Sequence, residues 1–387
     1  MEEAVFLTKG DLLAMIRNLP RTVEEAYNRI LSKSRDPDRA RKILHIVIAA
    51  DRPLDLHEMA AALAISAQRH RCHKDLERDL ISPGRLEIAI RETSHHGRVD
   101  ILLLLLENGA YQESKNRHLE TIDRHGHTPL LRAASTGDEV VLEMLLKIGV
   151  DIHARTSGRK GGKTALMYAS ISGHDTVVER LLDSGADIKA SDEDHWTSLM
   201  FASWHGYHDT AKLLLDQGAD INALDHIGRS ALAIASIRGH FEVVRVLLRR
   251  DPHIEALDHE GKSALSHATY RGRYNIVGLL LYQGANPDGQ GLNGGTALLD
   301  ACRKGHNKCV EVLLRCEASF DVRGHNGDTA LIVAAREGYL PTVRLLLENR
   351  ARVNDRDDDG WSAWKFASSA RHNAIAKLLV ENGALEQ

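Results

Sequence analysis

A threonine or serine at the head of an apolar stretch recurs at Thr128, Thr164, Thr197, Ser230, Ser263, Thr296, Thr329 and Ser362, spaced by 36 residues once and by 33 residues six times. A glycine stands nine residues after each of the first seven (Gly137, Gly173, Gly206, Gly239, Gly272, Gly305, Gly338), and a leucine pair follows it, from Leu145-Leu146 to Leu346-Leu347. A period this regular constrains the fold more than composition can. Each unit is too small to bury its own apolar face, so neighbours must stack into a solenoid.

One unit, LDHIGRSALAIASIRGHFEVVRVLLRRDPHIEA (224–256), shows the local physics. Ser230 fits a helix N-cap ahead of an alanine-rich stretch, its hydroxyl accepting from a free backbone N–H. Gly239 ends that helix, and Phe241, Val244, Leu247 and Leu248 repeat at helical spacing to give a second. In most units a Gly-Ala pair follows, where glycine can adopt the left-handed conformation that closes a helix. The Asp-x-x-Gly that comes next (Asp225 to Gly228, Asp258 to Gly261, Asp357 to Gly360) is turn chemistry and predicts a projecting loop.

With these residues the chain resembles the ankyrin-repeat proteins from about residue 83 to its end. The resemblance implies an all-α solenoid of about eight to nine helix-turn-helix repeats with projecting loops, a fold that binds other proteins. The family's T-P-L-H is altered: only Thr128-Pro129-Leu130 keeps the proline, and Leu131, Met167, Met200, Ala233, Ser266, Leu299, Ile332 and Lys365 replace the histidine. Packing is therefore expected to replace the hydrogen bonds that imidazole makes. Asp251, Glu317 and Arg350 stand where other units have the closing glycine, and a β-carbon resists positive φ there at about 1 kcal/mol. Arg371 replaces the helix-breaking glycine in the last unit, which reads as a C-terminal cap. The domain reading is a module over 1–82, a degenerate first repeat with an insertion over 83–121, and repeats with their cap over 122–387.

The first 82 residues have a different grammar. Thr22 and Glu25 form a capping box ahead of Val23, Ala26, Tyr27, Ile30 and Leu31 at helical spacing, and Asp55 with Glu58 offers a second one. The strings LPRTVEEAYNRIL and RPLDLHEMAAALAI resemble the winged-helix-like region that follows the NACHT domain in fungal NACHT-ankyrin proteins of the STAND class, over about residues 11–93. The resemblance implies a joint between an ATPase and the repeats, and the chain is expected to be a relative or fragment of those proteins lacking the ATPase domain. After RLEIAIRET the family continues into a β-hairpin, whereas this chain passes into repeat-like sequence at Ser94. DNA reading is not expected, because a recognition helix needs basic and amide side chains, and DLHEMAAALAI is acidic and apolar.

Several chemistries are set aside on composition and spacing. With 50 basic and 54 acidic residues, net charge −4, the chain is no general polyanion binder. Four cysteines without paired spacing make no disulfide framework, and a cytoplasmic location is expected. The greasiest run, Ile101 to Leu106, is far short of the roughly 18 to 20 residues that cross a bilayer, so no membrane partner is expected. SGRKGGKTAL (157–166) looks like a phosphate loop, but Ser157 stands where G-x-x-x-x-G-K-T needs its first glycine, and Thr164 belongs to the repeat register. Its Arg159, Lys160 and Lys163 are expected as exposed charges on a widened loop. The histidines that follow the repeat glycine (His174, His240, His306) are scattered one per unit, and His70, Cys72 and His73 lack a fourth ligand at zinc-finger spacing. No cofactor, metal, catalytic residue or small-molecule substrate is expected.

What remains is a recognition surface. The resemblance implies binding through loop tips and the concave face, at the residue before each Thr/Ser and the two before each glycine. The candidate protein-binding residues at those positions are Trp196, Trp204, Arg229, Arg238, Lys262, Tyr270, Arg271, Arg303, Lys304, Arg336 and Trp361. Aromatics and arginines are what binding hot spots favour. Arg238, Lys262, Arg271, Arg303, Lys304 and Arg336 are expected to form a basic stripe that takes an acidic segment of a protein partner. The reading is a non-enzymatic scaffold related to the NACHT-ankyrin proteins. The alternatives are the sensor arm of an NTPase whose catalytic domain lies upstream or on a partner chain, and a stand-alone adaptor presenting clients to a ligase or kinase.

Overall fold

The computed structural model describes residues 126–156, 161–292 and 294–385. The module expected over 1–82, the degenerate repeat over 83–121, and Arg159 and Lys160 lie outside the described residues. Gly126 to Gln387 forms one compact unit.

Each Thr or Ser of the register caps a helix, and each glycine or its substitute ends one. The first helices of the eight units are α1 Pro129–Thr136, α3 Ala165–Ser172, α5 Ser198–His205, α7 Ala231–Arg238, α9 Ala264–Tyr270, α11 Ala297–Lys304, α13 Ala330–Glu337 and α15 Ala363–Ser369. The second helices are α2 Glu139–Ile148, α4 Asp175–Asp183, α6 His208–Asp216, α8 Phe241–Leu248, α10 Tyr274–Tyr282, α12 Asn307–Arg315, α14 Leu340–Glu348 and α16 Asn373–Glu381. First helices pack side by side in one layer and second helices in another, each helix also packing on its partner within the unit. Among the described residues β-structure is limited to two isolated bridges, Ser191 to Thr197 and Arg356 to Ser362.

The first helices start on a common device. In all eight the register hydroxyl, with its residue extended at φ between −103° and −75°, accepts from the backbone N–H three residues on. Such a cap is worth about 1 kcal/mol. Between the layers lie the residues that replace the family histidine: Leu131, Met167, Met200, Ala233, Ser266, Leu299 and Ile332 are all buried.

Packing is only half of that replacement. Of the second helices only α2 has a side-chain cap, from Asp138; the N-cap residues of the other seven are His174, Tyr207, His240, Arg273, His306, Tyr339 and His372. Those side chains reach back to the preceding unit. His174 Nε2 donates to the carbonyl of Ser135 at 3.3 Å, His240 to Trp204 at 2.9 Å, His306 to Tyr270 at 3.1 Å and His372 to Arg336 at 3.2 Å. Four imidazole bonds between neighbouring units are thus made from the head of the second helix.

The left-handed positions are occupied as the register demands. Asp251, Glu317, Arg350 and Arg371 hold φ of 51°, 62°, 68° and 60° without being glycine, and His195 does so at 60° in the loop position that Gly228 fills one unit later. Each such residue carries strain of about 1–2 kcal/mol.

The loops are tied down by buried aspartates. Asp192, Asp225, Asp258 and Asp357 accept through Oδ1 from the backbone N–H four residues on, at Trp196 (2.8 Å), Arg229 (2.8 Å), Lys262 (2.9 Å) and Trp361 (2.6 Å). Each Asp thus fixes the residue that precedes the helix cap. Successive loops also pair through their backbones, His226 N–H to Asp194 and His259 N–H to Ile227.

Candidate protein-binding face

Three rows of side chains run across the stack: the residue before each cap, the residue four after it, and the last two residues before the glycine position. All the candidate residues lie in the first or third row, and the middle row supplies the surface beneath them. In the third unit Trp196 lies 5.1 Å from the Phe201 ring and 5.4 Å, edge-on, from Trp204. Trp196 packs against the buried core of Met167, Ala190 and Phe201. Arg229 lies over Trp196 at 5.7 Å and Arg238 over Trp204 at 4.4 Å. Tyr270 has two ammonium groups on its ring, Lys262 at 5.1 Å and Lys304 at 4.6 Å. Trp361 stands 5.0 Å from Phe366, with Lys365 over the first and Arg336 over the second. A cation over a ring face is attracted by the ring quadrupole, so these stacks order side chains that would otherwise be mobile.

The candidate cations fall into two groups. Arg229 places Nε and Nη2 on Asp225 Oδ2 at 2.9 and 2.7 Å, with the carboxylate buried. Arg303 meets Asp300 at 2.9 Å, Arg336 meets Asp328 at 3.0 Å and Glu337 at 3.7 Å, and Lys262 meets Glu260 at 2.9 Å. Among the described residues Arg238, Arg271 and Lys304 form no ion pair, and all three are exposed. The expected six-residue stripe therefore reduces to three cations not already matched by a carboxylate. Lys163, expected as an exposed loop charge, lies 3.1 Å from Asp192 with its side chain only 18 % exposed.

The middle row carries aromatic and titratable side chains that reading by loop position missed. Phe201 and Phe366 lie there, and so do His267 and Asp300. His267 Nε2 sits 2.7 Å from Asp258 Oδ2, with the two side chains 13 % and 4 % exposed. Burial pushes the imidazole below its ordinary value, with Asp258 pulling the other way and Lys262 and Arg229 reinforcing the depression. Burial also works against the Asp258 carboxylate, but the Lys262 N–H and His267 outweigh it and hold its pKa below the usual range. Burial raises Asp300, opposed by Arg303, Lys262 and Lys304. A hydrogen bond from Lys304 lowers the Tyr270 phenol, and the bond to Glu260 raises Lys262. Four residues after each cap was the spacing that could have revealed this row.

The lysine and threonine of SGRKGGKTAL have structural partners. Thr164 caps α3 by accepting from the Met167 N–H, and the Lys163 backbone N–H donates to Thr156 Oγ1 at 3.1 Å. Among the described residues there is no group of three or more His, Cys, Asp or Glu side chains placed to hold a metal ion, and no helix is long and apolar enough to cross a membrane.

Comparison with known proteins agrees with this geometry. The family model described as ankyrin repeats (3 copies) matches residues 86–192, 156–225, 199–291 and 298–386, well over half of the chain. Among solved structures, the crystal structure of the human ASB11 ankyrin repeat domain is similar to this chain, with 28 % identity and a TM-score of 0.54; the match covers 58 % of this chain and 100 % of that one. No curated protein matches.

Proposed function

Because the chain belongs to the ankyrin-repeat family, we propose that it is a non-enzymatic scaffold which holds a protein partner on the outer face of its first-helix layer, over the third to sixth units. One observation supports this reading above the others: Arg238, Arg271 and Lys304 are exposed and without ion pairs among the described residues, and two of them are ordered on aromatic rings, Arg238 on Trp204 and Lys304 on Tyr270. Guanidinium and ammonium groups ordered in this way lose little entropy on meeting a carboxylate. Trp196, Trp204 and Tyr270 supply apolar area beside them, the combination that hot spots favour. Arg229, Arg303 and Arg336, already matched by Asp225, Asp300 and Asp328, shape the face rather than supply its attraction.

The likeness of residues 11–93 to the segment between a NACHT domain and its repeats favours one extension of this reading. In it the stack is the partner-sensing arm of a cytoplasmic NACHT-ankyrin protein, with nucleotide chemistry carried elsewhere on the polypeptide or on another chain.

The test is a random peptide library selected on the full chain. Peptides enriched on the native protein should lose binding to an Arg238→Glu/Arg271→Glu variant, and keep it on Lys212→Glu, which reverses a charge on the second-helix layer. Enriched peptides indifferent to the first variant, with its thermal unfolding unchanged, would remove the face from consideration.

A further inference from the structure

Arg238, Arg271 and Lys304 occupy one register position, eight residues after the caps Ser230, Ser263 and Thr296. They stand at the C-terminal ends of α7, α9 and α11, which pack side by side. Neighbouring packed helices lie about 8–10 Å apart, so the backbone positions of the three cations repeat along the stack as a ladder of about that step. The register position one residue earlier holds Trp204, Ile237 and Tyr270 in the third to fifth units and Arg303, paired with Asp300, in the sixth, and each ring-stacked cation leans over the preceding unit's member of it, Arg238 over Trp204 at 4.4 Å and Lys304 over Tyr270 at 4.6 Å. An apolar row therefore runs beside the cation row at the same step. The ladder has defined ends: the same register position is His205 one unit before and Glu337 one unit after, the latter paired with Arg336.

Few peptide conformations match that step. A β-strand advances about 3.3 Å per residue, so a third residue reaches about 10 Å but points to the opposite side. An α-helix rises about 1.5 Å per residue and needs seven residues per step. A polyproline II helix has three residues per turn and a rise of about 3.1 Å, so every third residue returns to the same side after about 9.3 Å. We propose, building on the protein-binding reading above, that this face takes a polyproline II segment of its partner with Asp or Glu at every third position, its carboxylates on Arg238, Arg271 and Lys304 and an apolar neighbour of each on the Trp204, Ile237 and Tyr270 row. Three carboxylates fill the ladder, and a fourth at the Glu337 end meets like charge. Proline suits the intervening positions, because its fixed φ is that of the polyproline helix and no backbone N–H is needed for internal bonding.

A cation at a helix C-terminus also favours the helix dipole. That role would appear in unfolding and not in peptide binding, so the two are separable.

The probes are fluorescein-labelled peptides, the first two of one composition, titrated into the full chain and read by anisotropy. In one, Glu stands at every third position with Pro and Leu between; in the second the same glutamates are grouped at one end; a third is a helix-forming peptide with Glu every seventh residue. The evenly spaced peptide should bind at least tenfold tighter than either other, with affinity falling as salt is raised. Arg238→Glu, Arg271→Glu and Lys304→Glu should each weaken it at least tenfold, and Lys304→Gln less. Equal binding of spaced and grouped peptides, or preference for the helical one, would overturn the three-residue register and leave the protein-binding face standing. Library-selected peptides that need Arg238 and Arg271 while no acidic peptide binds would likewise refute the segment proposed. Charge reversals that leave library-selected and acidic peptides alike unchanged would remove both readings.

Discussion

Two glycines in the third unit have nearly the same backbone and should respond very differently to one added methyl group. Gly206 ends α5 at φ 87° and Gly218 follows α6 at φ 89°. A β-carbon on either incurs the left-handed penalty of about 1–2 kcal/mol, offset by about 0.4–1 kcal/mol from a less flexible unfolded chain. At Gly218 a β-carbon would meet nothing within 4 Å, so Gly218→Ala should cost about 1 kcal/mol. At Gly206 it would lie 2.6 Å from Nδ1 and 2.8 Å from Cε1 of His240. That ring cannot simply swing away, because its Nε2 donates to the Trp204 carbonyl at 2.9 Å and its backbone begins α8. Overpacking of about 1–3 kcal/mol, or loss of a bond worth about 1 kcal/mol, should bring Gly206→Ala to roughly 2–4 kcal/mol. Urea unfolding followed by circular dichroism and by tryptophan fluorescence measures both. In Gly206→Ala/His240→Ala the clash is gone, so the double variant should be more stable than the sum of the single losses implies. Equal costs at the two glycines, or strict additivity in the cycle, would refute the view that the ring of one unit rests on the glycine of the last.

The strained position at Glu317 predicts the opposite sign: at φ 62° Glu317→Gly should stabilise by about 0.5–1 kcal/mol, and an unchanged or lower urea midpoint would contradict it. His267, facing Asp258, Lys262 and Arg229, has its pKa lowered on folding, so the unfolded chain takes up its proton first. The stability this residue contributes is present above the unfolded value of 6.5 and is lost as pH falls below it, and His267→Gln should flatten the fall between pH 7.5 and 5.5; an unaltered slope would show that other groups carry it. Asp300, with its pKa raised, works in the other direction at lower pH and tempers the loss. Maleimide at pH 8 should label Cys316, which is exposed, and spare Cys302 and Cys309, whose thiols burial pushes up, Cys309 to about 11. Peptide mapping by mass spectrometry reads the result, and labelling of native Cys309 at the rate of Cys316 would contradict the burial.

How much of this was legible depended on how far apart the interacting residues lie. The helix caps, the left-handed positions and the loop aspartates act within about nine residues, and spacing alone located them at Ser230, Gly239, Glu317 and Asp225. The histidines after the glycine look scattered in the sequence because each bonds a carbonyl 36 to 39 residues back, as His240 does with Trp204, and only the stacking of units brings those atoms together. The charge of the face failed for a different reason. Asp300 lies three residues before Arg303 and Asp328 eight before Arg336, separations open to inspection, yet each cation was counted by its register position and none by what that row faces inside its own unit. In a stack every register position becomes a row one residue wide, and a partner meets only the charge that the adjacent rows leave unmatched. Here the row four after the cap neutralises Arg303, the row before the cap neutralises Arg336 and the buried loop aspartate neutralises Arg229, and the remainder is Arg238, Arg271 and Lys304 at a single position. On the proposed reading, a partner segment that follows the axis of the stack repeats its acids at the pitch of the helices, so that the spaced and grouped peptides of equal charge should separate spacing from total charge as the basis of binding.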